Sequence, residues 1–420
     1  MGIGHSHGAI DDVGIGRRAR GAMLVTVALL AAATVIGLVV LWPRDEVPEV
    51  VASQAGALVV DATVLSIDDV PCAGTPEGLD AEPCAGIRAR VTEGPTSGDE
   101  VLIATITSGA LPRGMEPGVG IVLGFEADAP PDFQYFFIDF QRSTPLLWLA
   151  ALFVAAVLVL GRLQGLRALL GLALSLGLLV WFVLPALLLG NDPLAVALVG
   201  GAAIALVAVY LAHGLHLSTT VAVLGTFASL ALTGVLAWVF VEACLFTGLA
   251  SEEAAFLSIS SGEIDLRGLL LAGIIIGSLG VLDDVTVTQV SAVSELRRAN
   301  PGWSRARLYR SALRIGRDHI ASTVNTLVLA YAGASLPLLL LFTQAERPLA
   351  EVLTGEIVAI EIVRTLVGSI GLVAAVPITT ALAATVAAGA APAPEGRAEA
   401  PGVAAGDRDA LLDAVFGPDV

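Results

Sequence analysis

The chain has 420 residues, of which 56% are hydrophobic and only 15% charged, and its mean hydropathy is +0.84. A soluble globular chain carries roughly a quarter charged residues, so this composition excludes an ordinary water-soluble domain. The net charge of −17, with no basic stripe interleaved with aromatics, excludes nucleic acid as a partner.

All 22 basic residues are arginine, which makes their placement easy to follow. Residues 1–21 form a leader on the cytoplasmic side. Its Gly4-His5-Ser6-His7-Gly8 offers two histidines, too few for a closed metal site. Arg17, Arg18 and Arg20 precede the first apolar run, Ala22–Trp42. No small-residue cleavage site follows that run, so it reads as an uncleaved membrane anchor over 22–42.

Segment 43–143 then changes character. Short β-type runs at Ala57–Ile67, Ile87–Val91, Glu100–Thr107, Gly120–Phe125 and Phe133–Phe140 are separated by Gly- and Pro-containing turns. They predict a small all-β domain outside the cytoplasm, a barrel or sandwich of OB-like type. Cys72 and Cys84 lie in this domain, where a disulfide persists if the two are paired; spacing alone leaves the pairing open.

The rest, 144–388, reads as a seven-helix membrane domain. Apolar runs near the ~20 residues needed to cross a bilayer cover 145–161, 166–189, 193–212, 218–241, 267–287, 320–343 and 357–385. With the anchor this gives an α-helical polytopic protein of about eight transmembrane helices. Arginine gathers in cytoplasmic loops. Arg162, Arg167 and the long cytoplasmic loop expected over 288–319, with Arg297, Arg298, Arg305, Arg307, Arg310, Arg314 and Arg317, therefore place both termini inside. The tail, 389–420, is acidic and rich in Ala, Pro and Gly.

Self-comparison predicts a tandem helix-pair repeat. His216-Leu217-Ser218-Thr219-Thr220-Val221 matches His319-Ile320-Ala321-Ser322-Thr323-Val324 at an offset of 103. Gly277-Ser278-Leu279-Gly280-Val281-Leu282 matches Gly368-Ser369-Ile370-Gly371-Leu372-Val373 at an offset of 91. The glycines fit the small-residue spacing that lets membrane helices approach closely. Where the second copy has Ala374-Ala375, the first has Asp283-Asp284.

Two adjacent carboxylates after an apolar run are costly at membrane depth unless they face water, a cation or a partner. Asp284, Thr288, Ser291 and Glu295 share one helix face, and Gln289 lies among them. A second polar patch holds Arg317, Asp318, His319 and Asn325. The face with Asp284 is either the solvated side of a helix that has left the membrane, or the set serves one of three uses: proton exchange between aspartate and histidine, coordination of a hard cation, or a structural ion pair with a loop arginine. Glu361 and Arg364, three apart, pair on one face of the last span.

The run Gly280-Val281-Leu282-Asp283-Asp284-Val285-Thr286-Val287-Thr288-Gln289, with Glu295, resembles the YibE/F-like bacterial membrane proteins. Gly316-Arg317-Asp318-His319-Ile320 and Asn325-Thr326-Leu327-Val328-Leu329-Ala330-Tyr331 carry the same resemblance. It implies a polytopic plasma-membrane protein and no particular activity. The expected function is transport of an ion or small solute, with Asp283, Asp284 and His319 as binding or coupling residues. The expected partners are the lipid bilayer, a small solute or cation, and a protein at the outer β domain. The alternative is an assembly or sensory protein that binds through that domain. No phosphate-cradling glycine loop or activated nucleophile marks an enzyme, and the sequence names no cofactor or metal.

Overall fold

A computed structural model describes residues 14–15, 17–45, 58–70, 84–107, 111–130, 133–260, 264–344, 348–388 and 390–391. Contacts divide the chain into two units, one of residues 47–169 and 256–262, the other of the remainder. Cys72 lies outside the described residues, and with it the expected disulfide.

In chain order the elements are β1 (Gly14–Ile15), α1 (Arg17–Leu41), β2 (Leu58–Val70), β3 (Cys84–Val91), β4 (Glu100–Thr107), β5 (Gly120–Phe125), β6 (Tyr135–Phe140) and α2 (Ser143–Leu178). They continue through α3 (Leu184–Leu188), α4 (Pro193–His213), α5 (Leu217–Ala243), α6 (Glu252–Ser260), α7 (Leu266–Ala299), α8 (Arg305–Ala334), α9 (Leu336–Gln344), α10 (Leu349–Thr354), α11 (Glu356–Ala388) and β7 (Ala390–Ala391).

The first unit holds an antiparallel sheet in the order β4-β3-β2-β5-β6. The five predicted strands are those observed, extended at β2 and β3 and trimmed at β6. Alternation builds the core: Val60, Ala62 and Val64 of β2 are buried, with Ile87, Ala89 and Val91 of β3 and Ile121 and Leu123 of β5. A meander of three strands, followed by a pair returning to the free edge of β2, is the connectivity of a partly open OB-type barrel. The outer strands β4 and β6 approach each other across the gap. Exposed ion pairs Arg88–Asp68 and Arg90–Glu100, each 2.7 Å, dress the surface of β3.

The predicted second and third spans form one apolar helical stretch, Ser143–Leu188, broken at Arg162, whose φ of 48° and ψ of −128° are not helical. Beyond the break, Gly165 lies against the carbonyl of Val157. A straight helix would hold these two about 12 Å apart, so the chain reverses where sequence reading placed a loop. The predicted seventh span is α8 and α9, bent by 64° at Ser335. Among the described residues six helices are long and apolar enough to cross a membrane, or seven with that bent pair.

In the second unit α7 packs against α4, α5 and α11, and α11 also packs against α5 and α8. Local chemistry sets the helix starts. Asp192 caps α4 by accepting from the Ala195 amide at 2.7 Å, with Pro193 in the first turn, and Asp265 caps α7 through the Gly268 amide at 3.0 Å. Segment 288–319 is not a loop. It consists of the end of α7, a turn over 300–304 and the start of α8. Buried Arg297 holds the turn by donating to the Trp303 carbonyl at 3.1 Å, and the Arg307 guanidinium lies 4.5 Å over the Trp303 ring.

Shifted by 91 positions, the bounds of α5 and α7 fall within three residues of those of α8 and α11. Helices α5 and α8 end at corresponding residues, Ala243 and Ala334, and α7 and α11 begin within one residue of correspondence. Leu217, Val221 and Gly225 are buried on α5, as are their counterparts Leu308, Ala312 and Gly316 on α8. This corrects the 103-residue histidine match. His216 precedes α5 as its N-cap, whereas His319 lies deep inside α8.

Candidate functional site

The site is built on α7. Successive helix positions turn by about 100°, so the two adjacent aspartates face different surroundings.

Asp283 shares a face with Thr286 and Gln289, and this face looks inward at α5 and α11. The Thr286 hydroxyl is 2.8 Å from that of Thr226 on α5, and both residues are fully buried. Thr286 Oγ1 is also 3.0 Å from the Asp283 carbonyl oxygen. One turn further along, the Thr380 hydroxyl of α11 lies 2.9 Å from Gln289 Oε1 and 2.6 Å from the Val376 carbonyl oxygen. Gln289 and Thr380 are 91 positions apart, so corresponding positions of the two hairpins touch each other.

Several buried atoms here have no partner: Asp283 Oδ1, Thr379 Oγ1 and Gln289 Nε2. Rotating the amide of Gln289 only moves the orphan to its other end. Each such atom costs on the order of 1–3 kcal/mol, so the interior of this bundle holds polar capacity that its own side chains do not use. Glycines admit these groups. A Cβ on Gly225 would strike Thr379 Oγ1, and one on Gly316 would strike Val376 and the Gln289 amide.

The opposite face of α7 is the one sequence reading singled out. Asp284, Ser291 and Glu295 are exposed there and Thr288 is half-buried. Glu295 pairs with Arg298 at 2.9 Å. His319 Nε2 approaches Asp284 to 4.0 Å, beyond hydrogen-bond range, so the two interact as charges when the imidazole is protonated. The second polar patch thus approaches the first at Asp284, through His319. Asp318 and Asn325 are exposed on α8. Glu361 and Arg364 pair at 2.7 Å on α11, both partly buried, as their spacing predicts.

The α7 glycines depart from expectation. A Cβ on Gly273 or Gly280 would meet nothing within 4 Å, and one on Gly277 would meet only the Tyr331 hydroxyl at 3.6 Å. They line open space above Asp284 instead of a tight helix contact. Gly371 does pack closely, against Thr233. Sequence reading missed Thr226, Thr286, Thr379 and Thr380 as site residues. Thr286 and Gln289 at three-residue steps from Asp283 were the available signal on α7. Nothing local marks the threonines of α5 and α11.

Long apolar helices around a buried polar stripe define an α-helical membrane protein. The YibE/F-like protein model matches residues 149–389, more than half of the chain, and the chain belongs to that family. The anchor and the sheet lie outside the matched residues. No curated protein and no solved structure matches the chain.

Proposed function

We propose that this protein is a multi-pass permease for an ion or small solute, with its binding site on the inward stripe of Asp283, Thr286 and Gln289. The observation that carries this reading is the set of unpartnered buried polar atoms where two helix hairpins of common register meet. Secondary transporters place their sites at such repeat interfaces. The 91-residue offset supports duplication of a helix pair.

Counting the break at Arg162 as a loop and α8–α9 as one bent span gives eight crossings, with both termini cytoplasmic. Arginine placement supports that orientation, which puts the sheet domain outside the plasma membrane. The bilayer and a small solute or cation are then the principal partners, and neither enzymatic chemistry nor nucleic acid enters the reading. The outward sheet is free to take a protein partner.

The test is a thermal-shift screen of the purified protein with cations, anions, amino acids and nucleotides, run beside Asp283→Asn. A ligand that binds the folded form raises its Tm. We expect one class to do so in the native protein and not in the variant. If a well-folded native sample responds to none of them, the permease reading gives way to an assembly or sensory role through the sheet domain.

A further inference from the structure

We infer that α8 beyond Gly316 is a gate, which swings onto α7, seats Val324 on Gly280 and covers the cleft where Asp284 and His319 face each other. The inference rests on the permease reading and deepens it by naming the part that moves.

The contact between α5 and α11 is the pattern for closure. A Cβ on Gly225 would strike Thr379 Oγ1, and a Cβ on Gly371, about two turns along α11 from Thr379, would strike Thr233 Oγ1. These helices therefore touch at both levels. Shifted by 91 positions, the matching pair is α8 against α7. Its inner level is closed, because a Cβ on Gly316 would strike the Gln289 amide. Its outer level is open. Gly280 stands where the other pair has Gly371, and a Cβ there would meet nothing within 4 Å. Val324, in the place of the buried Thr233, is only half-buried.

Burial along α8 agrees. Leu308, Ala312 and Gly316 are buried like Leu217, Val221 and Gly225. Beyond them α5 goes on to bury Leu230, Thr233 and Ala237, whereas Ala321 and Val328, in the places of Leu230 and Ala237, are exposed. The inner ends are locked together, with Val290 and Val293 of α7, Leu308 and Ala312 of α8, and Ala383 and Ala384 of α11 in one apolar cluster. One end of α8 is thus anchored and the other is loosely held. The 64° break at Ser335 separates the loose end from α9 and bounds the moving segment.

Glycine at 280 fits a second state. A glycine in mid-helix costs stability relative to alanine, and here it gains no contact in return. It gains one when α8 closes, since small residues let membrane helices approach. The Tyr331 hydroxyl already reaches across, to within 3.6 Å of a Cβ on Gly277. The Asp284 side chain is 74% exposed, with His319 Nε2 4.0 Å away. Closure takes that carboxylate out of water, so the cleft is an entrance that the gate opens and shuts. In the orientation proposed above it opens outward and is sealed on the cytoplasmic side.

The test is disulfide trapping in the full-length protein in proteoliposomes, with copper phenanthroline as oxidant and peptide mass spectrometry as readout. Two cysteines bridge only when their Cα atoms come within about 7 Å. Thr233→Cys/Gly371→Cys, the pair already in contact, should bridge readily. Gly280→Cys/Val324→Cys should bridge within one chain at about a tenth of that rate or less, because a minor state holds about 0.1–10% of the molecules. The bridge should stop transport of a solute found in the thermal-shift screen, and reduction should restore it. A control pair that bridges while 280 and 324 never do overturns the inference and leaves the permease reading standing. A bridge that leaves transport untouched also overturns it, and so does a bridge between two chains, which gives the α7 face to a second copy. A bridge within one chain in a protein that carries none of the screened solutes keeps the closure and removes the permease reading. If the double variant does not fold, hydrogen exchange of the native protein decides. Amides of 320–334 should exchange about tenfold faster than those of 229–243, and equal protection overturns the inference.

Discussion

The two helix hairpins of the membrane domain share a frame and differ in chemistry. Helices α5 and α7 carry Thr226, Asp283 and Thr286, whereas the corresponding positions of α8 and α11 hold Arg317, Ala374 and Pro377. Buried positions that set packing, such as Gly225 and Gly316, are kept in both. Packing positions are thus alike in the two pairs, while the carboxylate of Asp283 has an alanine, Ala374, as its counterpart.

The largest expected effect tests the shared frame. Gly316→Val places a branched side chain against Val376 and Gln289, and overpacking of this kind costs about 1–3 kcal/mol or more. We expect Gly316→Val to lower Tm sharply. Gly280→Ala, which faces open space, should be neutral or stabilise by up to about 1 kcal/mol through helix propensity. Equal losses at both positions would mean that the hairpins do not share the register described.

Next comes the Glu361–Arg364 ion pair of α11. Arg364→Leu leaves the partly buried Glu361 without its cation, at a cost of about 1–3 kcal/mol. The double change Glu361→Leu/Arg364→Leu should recover most of that in a melting experiment. Such recovery would identify the pair as structural and keep the functional charge in the first hairpin. Gln289→Leu should be nearly neutral for Tm, because a hydrogen bond worth about 1 kcal/mol is lost together with an unpartnered amide end. Its effect should appear in ligand binding instead.

The smallest effect lies in the sheet. The Arg88 guanidinium, helped by the Ser66 hydroxyl, holds the Asp68 carboxyl below its ordinary value of 3.8, and Arg142 with the Phe140 amide does the same for Asp139. A depressed folded value means this stabilisation is fully present above about pH 4 and is lost as the pH falls through the folded value. Hydrogen exchange along β3 should show slight loosening in acid, and Arg88→Ala should remove part of that sensitivity. Loosening on the alkaline side would contradict the assignment.

Much of this was legible in the sequence. Strand alternation marked β2 to β6 nearly to the residue, and hydropathy marked each apolar helix. The Gly277 to Gly368 match has the same offset as the Gln289–Thr380 contact, while His216 and His319 take different places in their helices, because short polar motifs recur in helices without sharing a position in them. On α7 the polar residues Asp284, Thr288, Ser291 and Glu295, at steps of four, three and four, mark one helix face in the sequence. The buried stripe runs at three-residue steps through Asp283, Thr286 and Gln289. Its partners Thr226, Thr379 and Thr380 come from distant helices, and no local pattern announces that threonines will meet an aspartate across a bundle.

The most direct measurement of the central claim is ligand-driven current or flux in proteoliposomes made with the native protein and with Asp283→Asn, at matched incorporation and orientation. We expect saturable transport of an ion or small solute by the native protein and its loss in the variant. Equal flux from both, with the variant folded, would place the transport pathway away from the Asp283 stripe and contradict the role given to it.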